Sequence, residues 1–203
     1  MKQILTQYKR IMVLDTSSSY LYIAFLEDGK IIYENISEGK NNHSDNLLKN
    51  ITDALDKLGL QVKDFNAFVC GKGPGMYTGL RVSMTVAKTF AWTLSKPLYT
   101  ISSLDILTSG YFKIDGIYKV MMKAKKDYSY TKIFEIKNGK YNLLRKEEFL
   151  ENEKFLSLDT KGNALDNSNI KFDILNIEDS MLEEVTNIHA LEPNYLRSDI
   201  WDI

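Results

Sequence analysis

The chain has 203 residues, 26 Lys/Arg against 27 Asp/Glu, and is 44% hydrophobic and 26% charged, the profile of one large or two small globular domains with room for a core. Its single cysteine excludes an internal disulfide framework and a cysteine-based zinc site; no apolar run approaches the roughly 20 residues of a membrane span and the first ten residues lack a signal-peptide core, so the cytoplasm is the expected location. The net charge of −1 hides an uneven spread, since residues 1–146 carry 22 Lys/Arg against 13 Asp/Glu while residues 147–203 carry 4 against 14; this suits either a basic body for nucleic acid or two solvated surfaces of different sign.

Ile11-Met-Val-Leu14 is an apolar run ending at Asp15, with Thr16-Ser-Ser-Ser19 as its turn. Tyr20–Leu26 reads as a second strand, rich in aromatic and β-branched residues, and Asp28-Gly29 is a hairpin signal before a return strand at Ile31-Ile-Tyr33. From Ser44 to Leu58, the apolar residues Leu47, Leu48, Ile51, Ala54, Leu55 and Leu58 form one helical stripe. Asn42 or Ser44 suits its cap and Gly59 its exit.

The strand Ala67–Cys70 then runs into Gly71-Lys-Gly-Pro-Gly-Met-Tyr-Thr-Gly-Leu-Arg81 and a helix from about Tyr77 to Ser95. This helix carries two apolar stripes: Leu80, Met84, Ala87, Ala91 and Leu94 on one side, and Val82, Val86 and Phe90 nearly opposite. A helix apolar on both sides is buried on both sides, so beyond the sheet it needs either the 44–58 helix or another protein. Leu98–Ile101 is a further strand, and Ser102 or Ser103 caps a short helix reaching Thr108. Farther on, a strand is expected at Ile117–Met122 and a hairpin over Tyr128–Tyr141 turning at Asn138-Gly139. Short apolar runs follow at Phe155–Leu158 and Phe172–Leu175, and a helix at Glu178–Asn187. The lobe boundary falls near 105–115.

Glycines let a backbone turn sharply, and a helix start offers free N–H groups and partial positive charge, so the glycine loop either cradles an anion or admits a second backbone. It is neither a Walker loop, since Lys72 comes early and the run ends Gly79-Leu-Arg81, nor a dinucleotide fingerprint, since Met76 takes the third glycine's place. Asp15 with Thr16 and Ser17 either holds a metal–phosphate group or builds a turn whose hydroxyls bond nearby backbone. His43 and His189, the two histidines, do not share helical spacing, so no metal site is expected. Lys123-Ala-Lys-Lys126 with Tyr128 and Tyr130 suits a solvated hairpin edge or an RNA contact.

Taken in order, Asp15-Thr-Ser-Ser18, Asn42-His-Ser-Asp-Asn-Leu-Leu48, Gly73-Pro-Gly-Met-Tyr-Thr-Gly-Leu-Arg81 with Ala87-Lys88, and Ile101-Ser-Ser-Leu104 resemble the bacterial TsaB (YeaZ) family of tRNA threonylcarbamoyladenosine biosynthesis proteins. The later Lys125–Tyr130 and Glu192-Pro-Asn-Tyr-Leu-Arg197 resemble it more weakly. Departures are the ten residues before the first strand, Met76 where a small polar residue is usual, and a short second lobe.

The resemblance implies an α/β, two-lobed actin/Hsp70/sugar-kinase-like (ASKHA) fold with a complete first lobe, residues 1–108, and a reduced second lobe, residues 109–203. It implies a non-catalytic scaffold or activator of threonylcarbamoyl transfer to adenosine next to the anticodon. The chemistry belongs to a catalytic paralogue, TsaD; a TsaE-like ATPase joins the assembly, tRNA enters only within it, and a homodimer is a further arrangement. No cofactor or metal is expected. The partner interface is expected on the two helices, at His43, Leu47, Ile51, Leu80, Arg81, Met84, Ala87, Lys88 and Ala91, set by the loop residues Gly73, Pro74, Gly75, Thr78 and Gly79. The competing expectation is an ATP-dependent phosphotransferase of the same superfamily using Asp15 and Thr16; against it, Gly116, Gly139 and Gly162 are isolated and no glycine follows them to build an adenosine loop.

Overall fold

The computed structural model describes residues 4–38 and 43–196, the side chains of 43–45 apart. Two compact units emerge: residues 1–103 with 178–193, and residues 104–177 with 194–203. This division differs from two continuous segments meeting at 108/109, because the stretch 178–193 returns to the first unit.

The first unit contains a short helix α1 (Ile4–Gln7) and a six-stranded sheet ordered β10-β5-β4-β1-β2-β3. Its strands are β1 (Arg10–Asp15), β2 (Tyr20–Glu27), β3 (Lys30–Glu38), β4 (Ala67–Gly71), β5 (Leu98–Ile101) and β10 (Glu183–Glu184). β1, β2 and β3 form an antiparallel meander, whereas β4 and β5 run parallel to β1. The Asp28-Gly29 turn has φ of 49° and 74°, the pair of positive values that a tight primed hairpin turn needs.

Helices α2 (His43–Leu58) and α3 (Tyr77–Leu94) lie on one face of this sheet. Met12, Leu14, Leu21, Ile23, Phe25, Phe68 and Cys70 of the strands meet Leu47, Ile51, Ala54, Met84, Ala87 and Ala91 of the helices. Burying each large aliphatic side chain stabilises the unit by about 1.5–3 kcal/mol, so the α2 stripe alone suffices to seat that helix. The second α3 stripe has its neighbour within the chain: Val82, Val86 and Phe90 pack partly buried against the same cluster, as do Val185, Ile188 and Leu191 of the returning stretch. α3 ends at Ser95 in the left-handed region, φ 53°, whose N–H reaches Ala91 O and Trp92 O.

The second unit holds a four-stranded sheet ordered β8-β7-β6-β9, from β6 (Gly116–Lys125), β7 (Tyr128–Lys137), β8 (Lys140–Glu151) and β9 (Asn163–Leu165). Alternate β6 residues Tyr118, Val120 and Met122 are buried, and Tyr118, Phe134, Phe112 and Tyr141 form an aromatic cluster with ring centroids 5.1–5.3 Å apart. The Asn138-Gly139 turn has positive φ as expected, and Asp115 accepts both of its N–H groups, at 2.9 and 3.1 Å. The apolar runs near 155 and 172 become a short helix α5 (Asn152–Leu156) and a 3-10 turn (Ile174–Asn176). α4 (Ser103–Thr108) is the short helix expected there.

The helix expected at Glu178–Asn187 is absent. A 3-10 turn (Asp179–Met181) is followed by β10, which pairs Glu183 with Thr100 and Glu184 with Tyr99, and Val185 N donates to Leu98 O at 2.9 Å. An unpaired β5 edge offers backbone partners that outweigh a modest helix propensity.

Candidate functional site

The glycine loop closes onto the turn that follows β1. Met76 N donates to Ser17 O at 2.6 Å, Thr16 Oγ1 donates to Gly79 O at 2.6 Å, and Gly73 N donates to Ser103 Oγ at 3.0 Å while Ser103 N donates to Gly73 O at 2.9 Å. The glycines are required by distance. A Cβ on Gly75 would stand 2.3 Å from Ser17 O, one on Gly79 1.8 Å from Thr16 O, and one on Gly71 1.6 Å from Asp15 Oδ2. Of the two uses open to such a loop, this geometry takes the second: the glycines admit another backbone.

Asp15 is the centre of the arrangement and is 2% exposed. Its Oδ1 accepts from Ser17 N at 2.7 Å and Ser17 Oγ at 2.6 Å, and its Oδ2 accepts from Ser103 Oγ at 2.6 Å. Burial pushes its carboxyl above the usual range, and the hydrogen bonds from Ser103 and Ser17 oppose that rise. Thr16 and Ser17 are buried as well. Both oxygens of the carboxylate and the Thr16 hydroxyl are thus engaged within the unit. Cys70, one strand residue before Gly71, is buried, and desolvation pushes its thiol up to about 12, which makes it an inert packing residue.

Of the expected interface positions, Leu47, Ile51, Leu80, Met84, Ala87 and Ala91 are buried in the first unit's own core. There they fix α2 against α3. Arg81 is exposed, its guanidinium carbon 4.1 Å from the centroid of the Tyr77 ring. Lys88 is half-buried and donates to Leu191 O at 2.9 Å. His43 belongs to α2 by its backbone, but its side chain, like that of Ser44, lies outside the described residues, as do Asn42 and Arg197. The outward face of the helix pair includes Leu48 among the exposed polar residues of α2, and Met76, Tyr77, Thr78, Arg81, Thr85 and Trp92 beside and along α3. Gly73 and Pro74 are buried.

The basic and aromatic cluster is a packed hairpin edge. Tyr128 stacks on Phe149 at 5.1 Å and 12°, and the Lys125 ammonium lies 4.9 Å from the Tyr128 centroid. Among the described residues no three His, Cys, Asp or Glu side chains are grouped to hold a metal, and no helix is long and apolar enough to cross a membrane.

Sequence reasoning missed Ser103 as a ligand of Asp15, reading it only as a helix cap; the partners are 88 residues apart, and no local pattern joins them. It also missed the buried pair Lys132 and Asp105 with the half-buried Glu147 and Tyr141 beside it. Lys132 Nζ lies 2.7 Å from both Asp105 oxygens and 3.6 Å from Glu147.

Residues 31–186 match the family model described as TsaD, tRNA N6-adenosine threonylcarbamoyltransferase. Among curated proteins, the chain is 36% identical to the tRNA threonylcarbamoyladenosine biosynthesis protein TsaB of Bacillus subtilis over 129 residues, 64% of this chain and 56% of that protein. To the TsaB of Buchnera aphidicola it is 29% identical over 155 residues, 76% of this chain and 67% of that protein. The chain thus spans about half to two thirds of the length of these relatives. Among solved structures, an uncharacterized Pseudomonas aeruginosa protein with similarity to peptidase YeaZ aligns at a TM-score of 0.76 and 23% identity, covering 93% of this chain and all of that one. Likeness at that identity concerns the fold, and it bears out the two-lobed α/β class expected.

Proposed function

We propose a function from one premise: the chain belongs to the TsaD family of tRNA N6-adenosine threonylcarbamoyltransferases, and within it to the TsaB (YeaZ) group. On this reading the protein serves threonylcarbamoyladenosine formation in tRNA as a non-catalytic subunit, docking onto a TsaD-like paralogue that carries the chemistry. The observation that supports the non-catalytic role is the closed Asp15 network. A metal–phosphate group at Asp15 would compete with the Ser17 and Ser103 donors, and an anion taken up at Gly73 or Met76 would have to displace the Gly73–Ser103 or Met76–Ser17 bond. Each displacement leaves a buried polar group without its partner, at about 1–3 kcal/mol.

The docking face in this proposal is the outward side of α2 and α3. Met76, Tyr77 and Trp92 are large side chains held exposed at 44%, 40% and 62%, and Arg81 is laid on Tyr77. Tyr, Trp and Arg are the residue types that dominate interface energetics. The core residues beneath them set the angle of that face. A TsaE-like ATPase and tRNA join at the assembled pair.

The test is co-purification with the TsaD-like paralogue and mass-spectrometric measurement of threonylcarbamoyladenosine in tRNA. The paired change Tyr77→Asp and Arg81→Glu should leave folding intact and weaken pairing at least about tenfold, the scale of losing one or two anchors. Undiminished pairing and modification would reject this face; modification by the chain without any paralogue would reject the non-catalytic role.

A further inference from the structure

The second unit contains a cavity of about 390 Å³ that the reading above does not use. Met121 of β6, Phe155 and Leu156 of α5, and Ala164 of β9 give it apolar walls, and Lys119 and Lys161 add two basic side chains to the lining. It sits on the sheet face opposite the aromatic cluster, because Lys119 and Met121 alternate with the buried Tyr118, Val120 and Met122. The volume lies in the lower part of the range for specific ligand pockets, enough for one large side chain and a small polar group. Leu156 at its margin is 62% exposed.

The charges decide what fits. Lys119 is half-buried, its ammonium 3.3 Å from Leu158 O and 5.4 Å from the Phe155 ring centroid. It is therefore fixed at the wall and not free to sweep through solvent. The carboxylate in the lining, Asp166, turns to its own loop: Oδ1 accepts from Ser168 N at 2.7 Å and Ser168 Oγ at 2.6 Å. These bonds hold its carboxyl below the usual range. The lining then presents apolar walls with two basic side chains, Lys119 and Lys161, against the one carboxylate of Asp166. One carboxylate on a ligand balances that excess, further carboxylates overshoot it, and a purely apolar ligand leaves the basic groups desolvated without compensation.

We propose that this cavity is a docking site for a peptide segment of a partner protein presenting one large apolar side chain directly beside a single carboxylate. The apolar side chain enters between Met121, Phe155 and Ala164, and the carboxylate meets Lys119 and Lys161. Nucleic acid is a poor fit, because Phe155 is buried and offers no open face for a base to stack on.

The probe is the capped peptide Gly-Gly-Phe-Asp-Gly-Gly, added to the full-length protein and followed by amide and methyl chemical shifts. Saturable shifts are expected at Met121, Leu156, Gly162 and Ala164. The same peptide with Lys in place of Asp, or Ser in place of Phe, should bind at least about tenfold more weakly. Ala164→Trp, at an exposed position, should fill the cavity and abolish binding while the rest of the spectrum stays native. The paired change Lys119→Glu and Lys161→Glu should reverse the preference toward the lysine peptide. Absence of saturable shifts, equal binding of the Asp and Lys peptides, or octanoate binding as tightly as the peptide would each overturn the proposal, the last by marking a small-amphiphile site instead. None of these outcomes depends on pairing with a TsaD-like paralogue.

Discussion

Asp15 in the first unit and Asp105 in the second are both buried, yet they are held in opposite ways. Asp15 is surrounded by neutral donors, the Ser17 N–H and hydroxyl and the Ser103 hydroxyl. Asp105 is held by a buried cation, with Lys132 Nζ 2.7 Å from each oxygen and the Tyr141 hydroxyl at 3.4 Å. A charge pair tolerates small changes in geometry but fails when one member is removed. A net of neutral hydrogen bonds is directional, so it fixes where its donors sit. Asp15 therefore positions the glycine loop, whereas Asp105 and Lys132 neutralise each other beneath the second sheet.

That contrast predicts a ranking of effects. Removing the cation is the largest: Lys132→Met leaves the buried Asp105 carboxylate without its counter-charge and should lower unfolding free energy by about 3–5 kcal/mol. The double change with Asp105→Leu should recover part of the loss, the rest belonging to Glu147, 3.6 Å from the same ammonium. Both are read by denaturant unfolding, and a double mutant no better than the single would break the charge-pair account. Second is Gly79→Ala, whose Cβ would meet Thr16 O at 1.8 Å. The loop and β1 turn must separate, at about 1–3 kcal/mol or more. Gly139→Ala, where nothing stands within 4 Å but φ is +68°, should cost about 1–2 kcal/mol from left-handed backbone strain alone, the counterpart of a collision without strain at Gly79.

Third is the pH dependence of Asp15. Its folded carboxyl is raised above the reference value of 3.8, so the folded state holds the proton more tightly than the unfolded chain. The contribution of this group is largest below 3.8 and declines as pH rises from there through the folded value. Asp15→Asn removes that slope, and its cost relative to the native protein should be greater at low pH than at neutral pH. An unchanged slope would show that Asp15 does not titrate in that window. Smallest is Arg81→Ala, an exposed change that should alter stability by less than about 0.5 kcal/mol while still weakening pairing with a TsaD-like paralogue.

The sequence was most readable where structure is local. The Asp28-Gly29 and Asn138-Gly139 turns, the α2 stripe and the strand–loop–helix of residues 67–94 each follow from a short pattern. Helical periodicity shows that a face is buried, not what buries it. Val82, Val86 and Phe90 pack against the first unit's own core cluster, which Val185, Ile188 and Leu191, about a hundred residues later in the chain, also join. The same distance hid β10, whose strand form exists only because β5 offers an edge, and the Ser103–Asp15 bond. The glycine loop could be recognised as special, but its choice between an anion and a backbone depended on the turn at Thr16 and Ser17 lying against it.

The central claim is that this loop is a packing element, with the Lys72, Gly73 and Met76 N–H groups taken within the unit. The most direct measurement is a titration of the isotopically labelled protein with Mg-ATP and, separately, inorganic phosphate, following the amides of Gly71, Gly73, Gly75, Met76 and Gly79. The account predicts no saturable shift at these positions and slow hydrogen exchange at Gly73 and Met76, whose N–H groups bond Ser103 and Ser17. Saturable shifts at the loop together with fast exchange there would contradict it and return the loop to the role of an anion cradle.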